Sequence, residues 1–479
     1  MKKNYIAGEW REATATTENI NPSDTRDIIG HYAQASQDDA IDAIAAAKQA
    51  SFGWSKISPL KRFEALDAIG TEMIARKDEL GDMLAREEGK TLAEACGEAH
   101  KAGHLFKYFA AEVYRSDKDG YTSIRDNVDL HVRRHSIGVV GAITPWNFPL
   151  AIPAWKIAPA LAYGNTVVFK PAEIVPGSAW LLSEIISRAG LPEGVFNLLM
   201  GSGREVGEAI VTSPDVAGVT FTGSTSVGKS IGAKVFQRGG KVQLEMGGKN
   251  PLIVLDDADL DMAVNCAIQG SYYSTGQRCT ASSRLIVTEG IHDAFVEALI
   301  KKTESLVVGD ARSPQTNIGP VSSELQLKTN ESYLEIGKKE GAELVTGGER
   351  LSMDTPGHYL SPALFVGSNN QMQINRKEIF GPVAAVIPVT NYDEALLNAN
   401  DSDFGLSAGI ITKNIGIQNH FIDNIEAGMA QVNLATAGMD FHAPFTGKKG
   451  SSFGSPEKGS YCKEFFTGYK VVHAAKSEY

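Results

Sequence analysis

The chain has 479 residues, 43% of them hydrophobic, and a formal net charge of −11 at pH 7. This length is enough for two or three domains with well-buried cores. Because an acidic chain has no basic surplus to meet phosphate groups, we expect neither a nucleic-acid partner nor an anionic membrane surface as partner.

The start of the chain and the cysteines bear on the cellular compartment. Lys2 and Lys3 are not followed by the apolar stretch of a signal peptide. No apolar run reaches membrane-spanning length without a charge or a proline. The four cysteines are dispersed and form no C-x-x-C motif, which does not fit a disulfide scaffold. We therefore expect a reducing, cytoplasmic location and no membrane partner.

The N-terminal part is predicted to be helical, and an extended arm follows it. Ser36 stands shortly before Asp39, a pattern typical of a capped helix start. Ser58 precedes Pro59, which suits the first position of a second helix. Residues 127–137 alternate polar and apolar side chains, which predicts an exposed strand or hairpin arm.

From Ile137 onward, short apolar runs alternate with helical stretches. Apolar strands separated by helices predict parallel sheets covered on both faces, with ligands at the carboxyl ends of the strands. We expect two α/β domains in tandem, with a break near Gly247 and Gly248. The predicted strands are 138–143, 166–169, 195–199, 218–222 and 241–244, then 251–255, 284–288, 342–346, 383–389 and 406–412. A further edge strand is predicted at Gly468–His473.

The segment Gly276–Cys279 is one of the loops expected at such strand ends. A neighbouring cation lowers the pKa of a thiol and raises the thiolate fraction. We therefore expect Arg278 to activate Cys279 as a nucleophile. The ordinary interpretation, a small buried hydrophobic residue, is kept for Cys96, Cys266 and Cys462.

Three other loops carry polar groups suited to catalysis or cofactor binding. Glu245 ends an apolar strand and is a candidate general base, or else a solvated strand-end residue. Asn147 offers an N–H donor for an oxyanion, or else is only a turn residue. Gly223–Gly228 predicts a helix N-terminus that pyrophosphate can approach closely.

Taken together, six motifs resemble those of the aldehyde dehydrogenase superfamily, in the family order and across essentially the whole chain. The motifs are Pro145–Pro149 (PWNFP), Lys170–Glu173 (KPAE), Phe221–Thr225 (FTGST), Leu244–Lys249 (LEMGGK), Gly276–Thr280 (GQRCT) and Glu378–Val383 (EIFGPV). The resemblance implies an α/β fold with two tandem domains, parallel sheets and a β-arm for oligomerisation. It also implies NAD or NADP as cofactor, without a metal, and an aldehyde as the substrate.

The resemblance implies roles for individual residues. Cys279 matches the family nucleophile, Glu245 the base that activates water, and Asn147 the oxyanion donor. Lys170 and Glu173 match groups on the adenosine ribose. The other cofactor residues implied are Gly223 and Ser224 in the phosphate-binding turn, Glu378 at the nicotinamide ribose with Phe380 beside it, and Trp146. The residues implied at the substrate funnel are Phe148, Trp155 and Phe445.

The family fold also implies a division of the chain. Residues 1–119 and 138–246 would form a Rossmann-like dinucleotide-binding domain, and 247–433 a catalytic domain. Residues 120–137 and 434–479 would form an oligomerisation arm and tail, which implies a homodimer or homotetramer. One departure is Thr446, where the family commonly has glycine, and it affects the expected loop shape beside the substrate entrance.

Within the family, the chain resembles the branch that acts on α-ketoglutaric semialdehyde (2,5-dioxopentanoate). Gly276–Arg284 and Phe148–Lys156 carry this likeness. Arg278, Arg284 and the pair Ser282–Ser283 are candidates for binding a distal carboxylate through charge-assisted hydrogen bonds. Arg278 has the alternatives of tuning the thiol pKa or of forming a structural ion pair.

Other functions remain open alternatives at the level of sequence. A broader semialdehyde or general aldehyde dehydrogenase, a CoA-acylating enzyme and a catalytically silent scaffold all share this fold, but the last two would not need both Cys279 and Glu245. Gly450–Gly454 has the G-x-S-x-G form of a serine hydrolase through Ser452, without the preceding strand that such an elbow requires. His100 and His104 have zinc-helix spacing, but no third ligand is evident.

Overall fold

The first two helices of the N-terminal segment begin at capping residues that the sequence supplies. The computed structural model describes residues 1–115 and 118–476. Ser36 and Asp39 exchange side-chain-to-backbone hydrogen bonds in a capping box, and Ser58 caps the helix that starts at Pro59. The strands before these helices were not predicted from the sequence. The elements are β1 Asn4–Ile6, β2 Glu9–Arg11, β3 Ala15–Asn21, β4 Asp24–Gln34, α1 Gln37–Lys56, α2 Pro59–Ala75, α3 Lys77–Glu88 and α4 Leu92–Glu112.

The next segment builds the arm and then a sheet. Its elements are β5 Lys118–Tyr121, β6 Val128–Ser136, β7 Val139–Ile143, α5 Ala151–Ala162, β8 Thr166–Lys170, α6 Pro176–Ser187, β9 Phe196–Leu198, α7 Glu208–Thr212, β10 Val216–Thr222, α8 Thr225–Gln237 and β11 Lys241–Glu245. Strands β9, β8, β7, β10 and β11 lie parallel in that order, as predicted. Every residue of β7 and β8 is buried, because helices cover both faces of a parallel sheet.

The second sheet uses the chain from residue 250 onward. Its elements and those of the tail are β12 Asn250–Val254, α9 Leu260–Ser271, β13 Ser282–Thr288, α10 Glu289–Glu304, α11 Glu324–Lys339, β14 Glu343–Thr346, β15 Ala363–Val366, α12 Gln373–Arg376, β16 Val383–Val389, α13 Tyr392–Asn400, β17 Phe404–Gly405, β18 Ser407–Ile411, α14 Ile415–Asn424, β19 Met429–Val432, β20 Lys448–Lys449, β21 Ser452–Phe453, α15 Lys463–Phe466 and β22 Thr467–Ala475. The sheet order is β14-β15-β16-β13-β12-β18-β19.

Two details of this sheet differ from the prediction. Strand β14, predicted at 342–346, lies at the edge and runs antiparallel to β15. Strands β15 and β19 were not predicted, because four-residue apolar stretches give too little periodicity to identify a strand. The remaining neighbours pair in parallel, as expected for a sheet whose strands are nearly all buried.

The tail returns to the first sheet and to the arm. Strand β21 pairs antiparallel with β11 and places Ser452 opposite Glu245. Strand β22 pairs with β6, which also pairs with β5, so the predicted strands at 127–137 and 468–473 lie in one three-stranded sheet. The predicted ranges 1–119 and 434–479 include residues 116–117 and 477–479, which lie outside the described residues.

Candidate active site

A groove follows the carboxyl ends of the first sheet. Its outer part is a cavity of about 560 Å³, and its inner part a cavity of about 250 Å³. The residues that line both parts are Pro145, Trp146, Thr222, Gly223 and Ser224. They follow strands β7 and β10 directly, where a parallel sheet keeps its ligands. A long ligand can therefore lie continuously across the sheet edge.

Cys279 lies where this groove meets another cavity. Its side chain lines the inner part of the groove and also a separate cavity of about 270 Å³. The lining of the second cavity includes Phe148, just before α5, Trp155 of α5 and Phe445 from the tail. A thiol at this junction can reach ligands from both sides.

A turn with left-handed backbone conformation precedes Cys279 and positions it at the junction of the two cavities. Ser274, Thr275 and Gly276 have φ values of 52°, 57° and 65°. A Cβ atom on Gly276 would lie 2.2 Å from the carbonyl oxygen of Gly381, so the turn needs glycine there. The side-chain amide of Asn250 donates a 2.8 Å hydrogen bond to the carbonyl of Cys279 and holds its backbone.

The expected effect of Arg278 on the thiol is wrong. The Arg278 guanidinium donates a 2.8 Å hydrogen bond to Glu94, which balances its charge. Burial, together with the nearby carboxylates of Glu378 and Glu245, raises the pKa of Cys279 to about 12. The thiol is therefore protonated at neutral pH in the protein without ligands, and its activation needs a base.

Asn147 is fixed beside Cys279 by a network that the sequence analysis did not find. Its side-chain amide donates a 3.0 Å hydrogen bond to the carbonyl of Gln277. Its own carbonyl accepts a 2.6 Å hydrogen bond from Lys90, and Lys90 pairs at 2.6 Å with Glu98. Glu98 also accepts hydrogen bonds from the first amides of α5. Lys90 and Glu98 come from another part of the chain, and no local pattern links them to Asn147.

Glu245 is buried, not solvated as in the alternative interpretation. Burial raises the pKa of Glu245 well above its usual range, and the charge of Glu457 adds to this effect, while the Ser452 hydrogen bond opposes it. Glu457 forms a fully buried ion pair with Lys156. The hydroxyl group of Ser452 donates its hydrogen bond to the Glu245 carboxylate. This contact does not support the alternative in which Ser452 is the nucleophile of a serine hydrolase.

At the outer end of the groove, Lys170 is buried and donates to the carbonyl of Pro171 at 2.8 Å. The pKa of Lys170 is lowered to about 8 by burial, and the charge of nearby Glu173 partly opposes this effect. The Glu173 carboxylate accepts a 3.0 Å hydrogen bond from the amide of Gly203. Ser224 is the N-cap residue of α8 but makes no side-chain capping bond, so the first amides of that helix face the groove without this partner.

At the inner end, Glu378 accepts a 2.9 Å hydrogen bond from the amide of Gly248. Burial raises the pKa of Glu378 to about 7. Phe380 has a φ of 59°, a conformation uncommon for a bulky residue. Its ring meets that of Trp146 edge-to-face, with 5.3 Å between the centroids.

In the other cavity, the rings of Trp155 and Phe445 stack with 5.5 Å between the centroids and form a narrow apolar wall. Thr446 follows Phe445 but does not line this cavity.

The proposed binding of a carboxylate by Arg284 is wrong: its guanidinium is buried and donates to Asn370 and to backbone carbonyls. The Ser282 hydroxyl is likewise buried against Thr436.

Within 1–115 and 118–476, no group of three or more His, Cys, Asp or Glu side chains is arranged to hold a metal ion. In the same part of the chain, no helix is both long and apolar enough to cross a bilayer.

The sequence and the fold were compared with known proteins. The model of the aldehyde dehydrogenase family matches residues 10–472. The α-ketoglutaric semialdehyde dehydrogenase of Bacillus subtilis (strain 168) is 44% identical over 473 residues, which cover 98% of this chain and 97% of that relative. The α-ketoglutarate semialdehyde dehydrogenase of Haloferax volcanii is 41% identical over 477 residues, or 98% of each chain.

The solved structures agree with this result. The crystal structure of betaine aldehyde dehydrogenase from Staphylococcus aureus in complex with NAD+ superposes with a TM-score of 0.97. It is 32% identical and covers 100% of this chain and 96% of that one. A full-length match in sequence and in fold identifies the chain as a member of the aldehyde dehydrogenase family.

Proposed function

We propose that this enzyme oxidises an aldehyde to a carboxylic acid through a thioester on Cys279, with NAD+ or NADP+ as hydride acceptor. The observation that carries the proposal is the position of Cys279, where a groove suited to a dinucleotide meets a separate cavity suited to an aldehyde. Asn147 lines the groove beside the thiol, and the buried Glu245 is close enough to raise its pKa.

The groove fits a dinucleotide by its chemistry. Among the described residues, the buried hydroxyl groups of Thr144 and Thr222, both in the groove lining, have no hydrogen-bond partner. Such orphaned donors indicate a polar ligand. Lys170 and Glu173 would hold the adenosine ribose, and the amides at the start of α8 would hold the phosphates.

At the inner end of the groove, Glu378 would hold the nicotinamide ribose, and Phe380 and Trp146 would flank the ring. When bound, the dinucleotide would serve as the hydride acceptor. In the structures of S. aureus betaine aldehyde dehydrogenase the ligand named is NAD+, which supports this class of cofactor.

The residues of the chain would act in two half-reactions. Because the thiol has a raised pKa, Glu245 would remove its proton as the sulfur attacks the aldehyde carbon. The carbonyl oxygen becomes an oxyanion, which the amide of Asn147 and the backbone N–H of Cys279 would stabilise. Loss of hydride leaves a thioester. Glu245 would release the first proton to solvent, and its carboxylate would then take a proton from water as this water attacks the thioester and the sulfur leaves as a thiolate.

We propose α-ketoglutaric semialdehyde as the substrate, oxidised to 2-oxoglutarate. The two relatives from B. subtilis and H. volcanii are named for this aldehyde. The stacked rings of Trp155 and Phe445 leave a narrow space suited to a short unbranched chain. A general aldehyde specificity is the main alternative. Glu245 argues against a CoA-acylating enzyme, which would need no base for water, and Cys279 with Glu245 argues against a silent scaffold.

We further propose the division into a dinucleotide-binding domain, a catalytic domain and an arm, as stated above, and a cytoplasmic homodimer or homotetramer. The sheet of β22, β6 and β5 supports the oligomer, because it exposes the apolar side chains of Tyr121 and Val471. Analytical ultracentrifugation would test the oligomer, and a monomer at micromolar concentration would contradict it.

The experiment for the substrate is a comparison of kcat/KM with NAD+ for four aldehydes. These are α-ketoglutaric semialdehyde, succinic semialdehyde, butanal and pentanal. A distal carboxylate held by a cation should contribute about 1.5–3 kcal/mol, or roughly tenfold to a hundredfold in kcat/KM. If kcat/KM for butanal and pentanal equals or exceeds that for the two acid aldehydes, the proposed substrate is wrong and the enzyme has a general aldehyde specificity.

A further inference from the structure

The cavity on the aldehyde side of Cys279 is rich in cations. Among the described residues that line it, the charged side chains are Lys90, Lys101, Arg278, Lys458, Glu94 and Glu98. Each charged group removed from water in such a cavity needs a partner or a ligand. The pairing of these groups therefore indicates which charges are left for a substrate.

Two of the cations are balanced within the protein. Lys90 lies 2.6 Å from Glu98, and Arg278 lies 2.8 Å from Glu94. Arg278 also donates to the hydroxyl of Ser274, so its guanidinium braces the left-handed turn before the nucleophile. These pairs leave the two remaining lysines to give the cavity an excess of positive charge.

Lys458 is the more enclosed of these two. Its side chain is fully buried, and its ammonium donates a 3.0 Å hydrogen bond to the carbonyl of Asp440. The ammonium lies 5.3 Å from the centroid of the Trp155 ring and 5.2 Å from that of Phe445, within the range of cation–π attraction. It therefore sits at the apolar wall that bounds the substrate cavity.

The backbone conformation of Lys458 is uncommon and helps to place its side chain at the cavity. Its φ is 58°, in the left-handed region that lysine rarely adopts. The residue before it, Glu457, exchanges two backbone hydrogen bonds with Phe445, which anchor the segment beside the cavity. A strained conformation held by its surroundings is a sign of a functional position.

Lys101 reaches the same place from helix α4. It is partly buried, and its ammonium donates to the carbonyl of Met439, the residue before Asp440. The two lysines thus bind consecutive carbonyls. Within the part of the chain that the structure describes, neither forms an ion pair with a carboxylate, whereas Lys90 and Arg278 both do. Each ammonium has three donors, so both keep N–H groups for a ligand.

We propose that Lys458 and Lys101 together bind the distal carboxylate of the substrate, and that Lys458 determines the preference for an aldehyde that carries an acid group. The ligand class is the short unbranched aldehyde with a carboxylate at its far end, with or without a 2-oxo group. The inference rests on the proposed oxidation at Cys279. It transfers the role considered for Arg278 to two lysines that form no ion pair with a carboxylate among the described residues.

The charge of Lys458 gives the proposal a pH dependence. Burial, together with the charge of nearby Lys101, lowers the pKa of Lys458 to about 7, while Glu457, Cys279 and Asp440 act in the opposite direction. A lysine is charged below its pKa and neutral above it. The preference for acid over uncharged aldehydes should therefore be largest below pH 7 and should fall as the pH rises through that value.

The main variant is Lys458→Met, which keeps the length of the side chain and removes its charge. We measure kcat/KM for succinic semialdehyde and for butanal. Loss of a charge-assisted contact should lower the first value about tenfold to a hundredfold and change the second by less than about threefold. The control is Lys339→Met, which removes an exposed cation far from the cavity and should leave both values unchanged.

The outcomes separate this inference from the proposed function. If the wild-type enzyme has no preference for succinic semialdehyde, the proposed substrate class is wrong. If the wild type has the preference and Lys458→Met keeps it, or loses activity equally on both aldehydes, only the role of Lys458 is wrong.

A second measurement avoids any effect of the substitution on folding. In the wild-type enzyme, the ratio of the two kcat/KM values is followed from about pH 6 to about pH 9. We expect the ratio to fall across this range, and a constant ratio would overturn the inference. The variant Lys101→Met, at a partly exposed position, should lower the same ratio, and an unchanged ratio would exclude Lys101 from the site.

Discussion

The hydroxyl group of Ser452 donates a hydrogen bond to the carboxylate of Glu245, across the pairing of strands β21 and β11. This bond lowers the pKa of Glu245, while burial and Glu457 raise it. The strand pairing therefore sets how much of the proposed base is ionised at a given pH. Ser452, which lies in a G-x-S-x-G sequence like that of a hydrolase nucleophile, here donates a hydrogen bond to Glu245.

Replacement of Ser452 by alanine should raise the pKa of Glu245 further. A carboxylate is a base only when ionised, above its pKa. The rising limb of the kcat–pH profile should therefore move to higher pH in Ser452→Ala, with little change at the alkaline plateau. Ser460→Ala, an exposed serine of the same segment, is the control. A profile identical to that of the wild type would show that Glu245 does not limit turnover.

Glu245→Gln should slow hydrolysis of the thioester. A positioned base typically contributes about 10²–10⁴ in rate. Stopped-flow measurement should show a burst of NADH near one equivalent per active site, followed by slow turnover. Because Glu245 is also proposed to deprotonate the thiol, the burst itself should be slower than in the wild type. Absence of any burst, with both phases reduced equally, would assign Glu245 to the first half-reaction alone.

Cys279→Ala should abolish oxidation while dinucleotide binding stays near normal, because the groove is built by other residues. Turnover and a fluorescence titration with NADH measure the two effects. Cys266→Ala is the matched control, since Cys266 is a buried cysteine of α9 that lines neither cavity. Activity of Cys279→Ala above a few per cent of wild type would rule out the proposed nucleophile.

The reactivity of the thiol should depend on Glu378. This carboxylate is, after burial, the largest cause of the raised pKa of Cys279. Without cofactor, Glu378→Gln should therefore increase the thiolate fraction and the rate of alkylation of Cys279 by iodoacetamide at pH 8. Glu297→Gln, at an exposed position of α10, should alkylate at the wild-type rate. Slower alkylation of Glu378→Gln would contradict the electrostatic explanation.

Glu173 should disfavour a cofactor with a 2′-phosphate, because its carboxylate would repel this group at the adenosine end of the groove. We expect kcat/KM to be higher with NAD+ than with NADP+, and Glu173→Ser to reduce the difference. The measurement is the ratio of the two values in both proteins. A wild-type preference for NADP+ would show that the charge of Lys170 outweighs that of Glu173.

The sequence by itself determined most of the parallel strands, though not β15 and β19, and it identified the motif residues of the candidate site. Apolar runs such as Val139–Ile143 identify buried strands because their burial follows from local composition, and Gly276 indicates a turn because its backbone demands it. Asn147 follows strand β7 of the first sheet, as expected for a ligand site, whereas Cys279 precedes strand β13 of the second sheet, so the sequence motifs alone do not bring the two together.

The tertiary structure alone decided the charge state of the site. The partner of Glu245 is Ser452, 207 residues away, and Arg278 is balanced by Glu94, 184 residues away. Lys458 forms no such ion pair within the described residues. No local pattern encodes these contacts, because folding brings distant segments together and removes water from them. Burial then raises the thiol pKa that the neighbouring arginine was expected to lower.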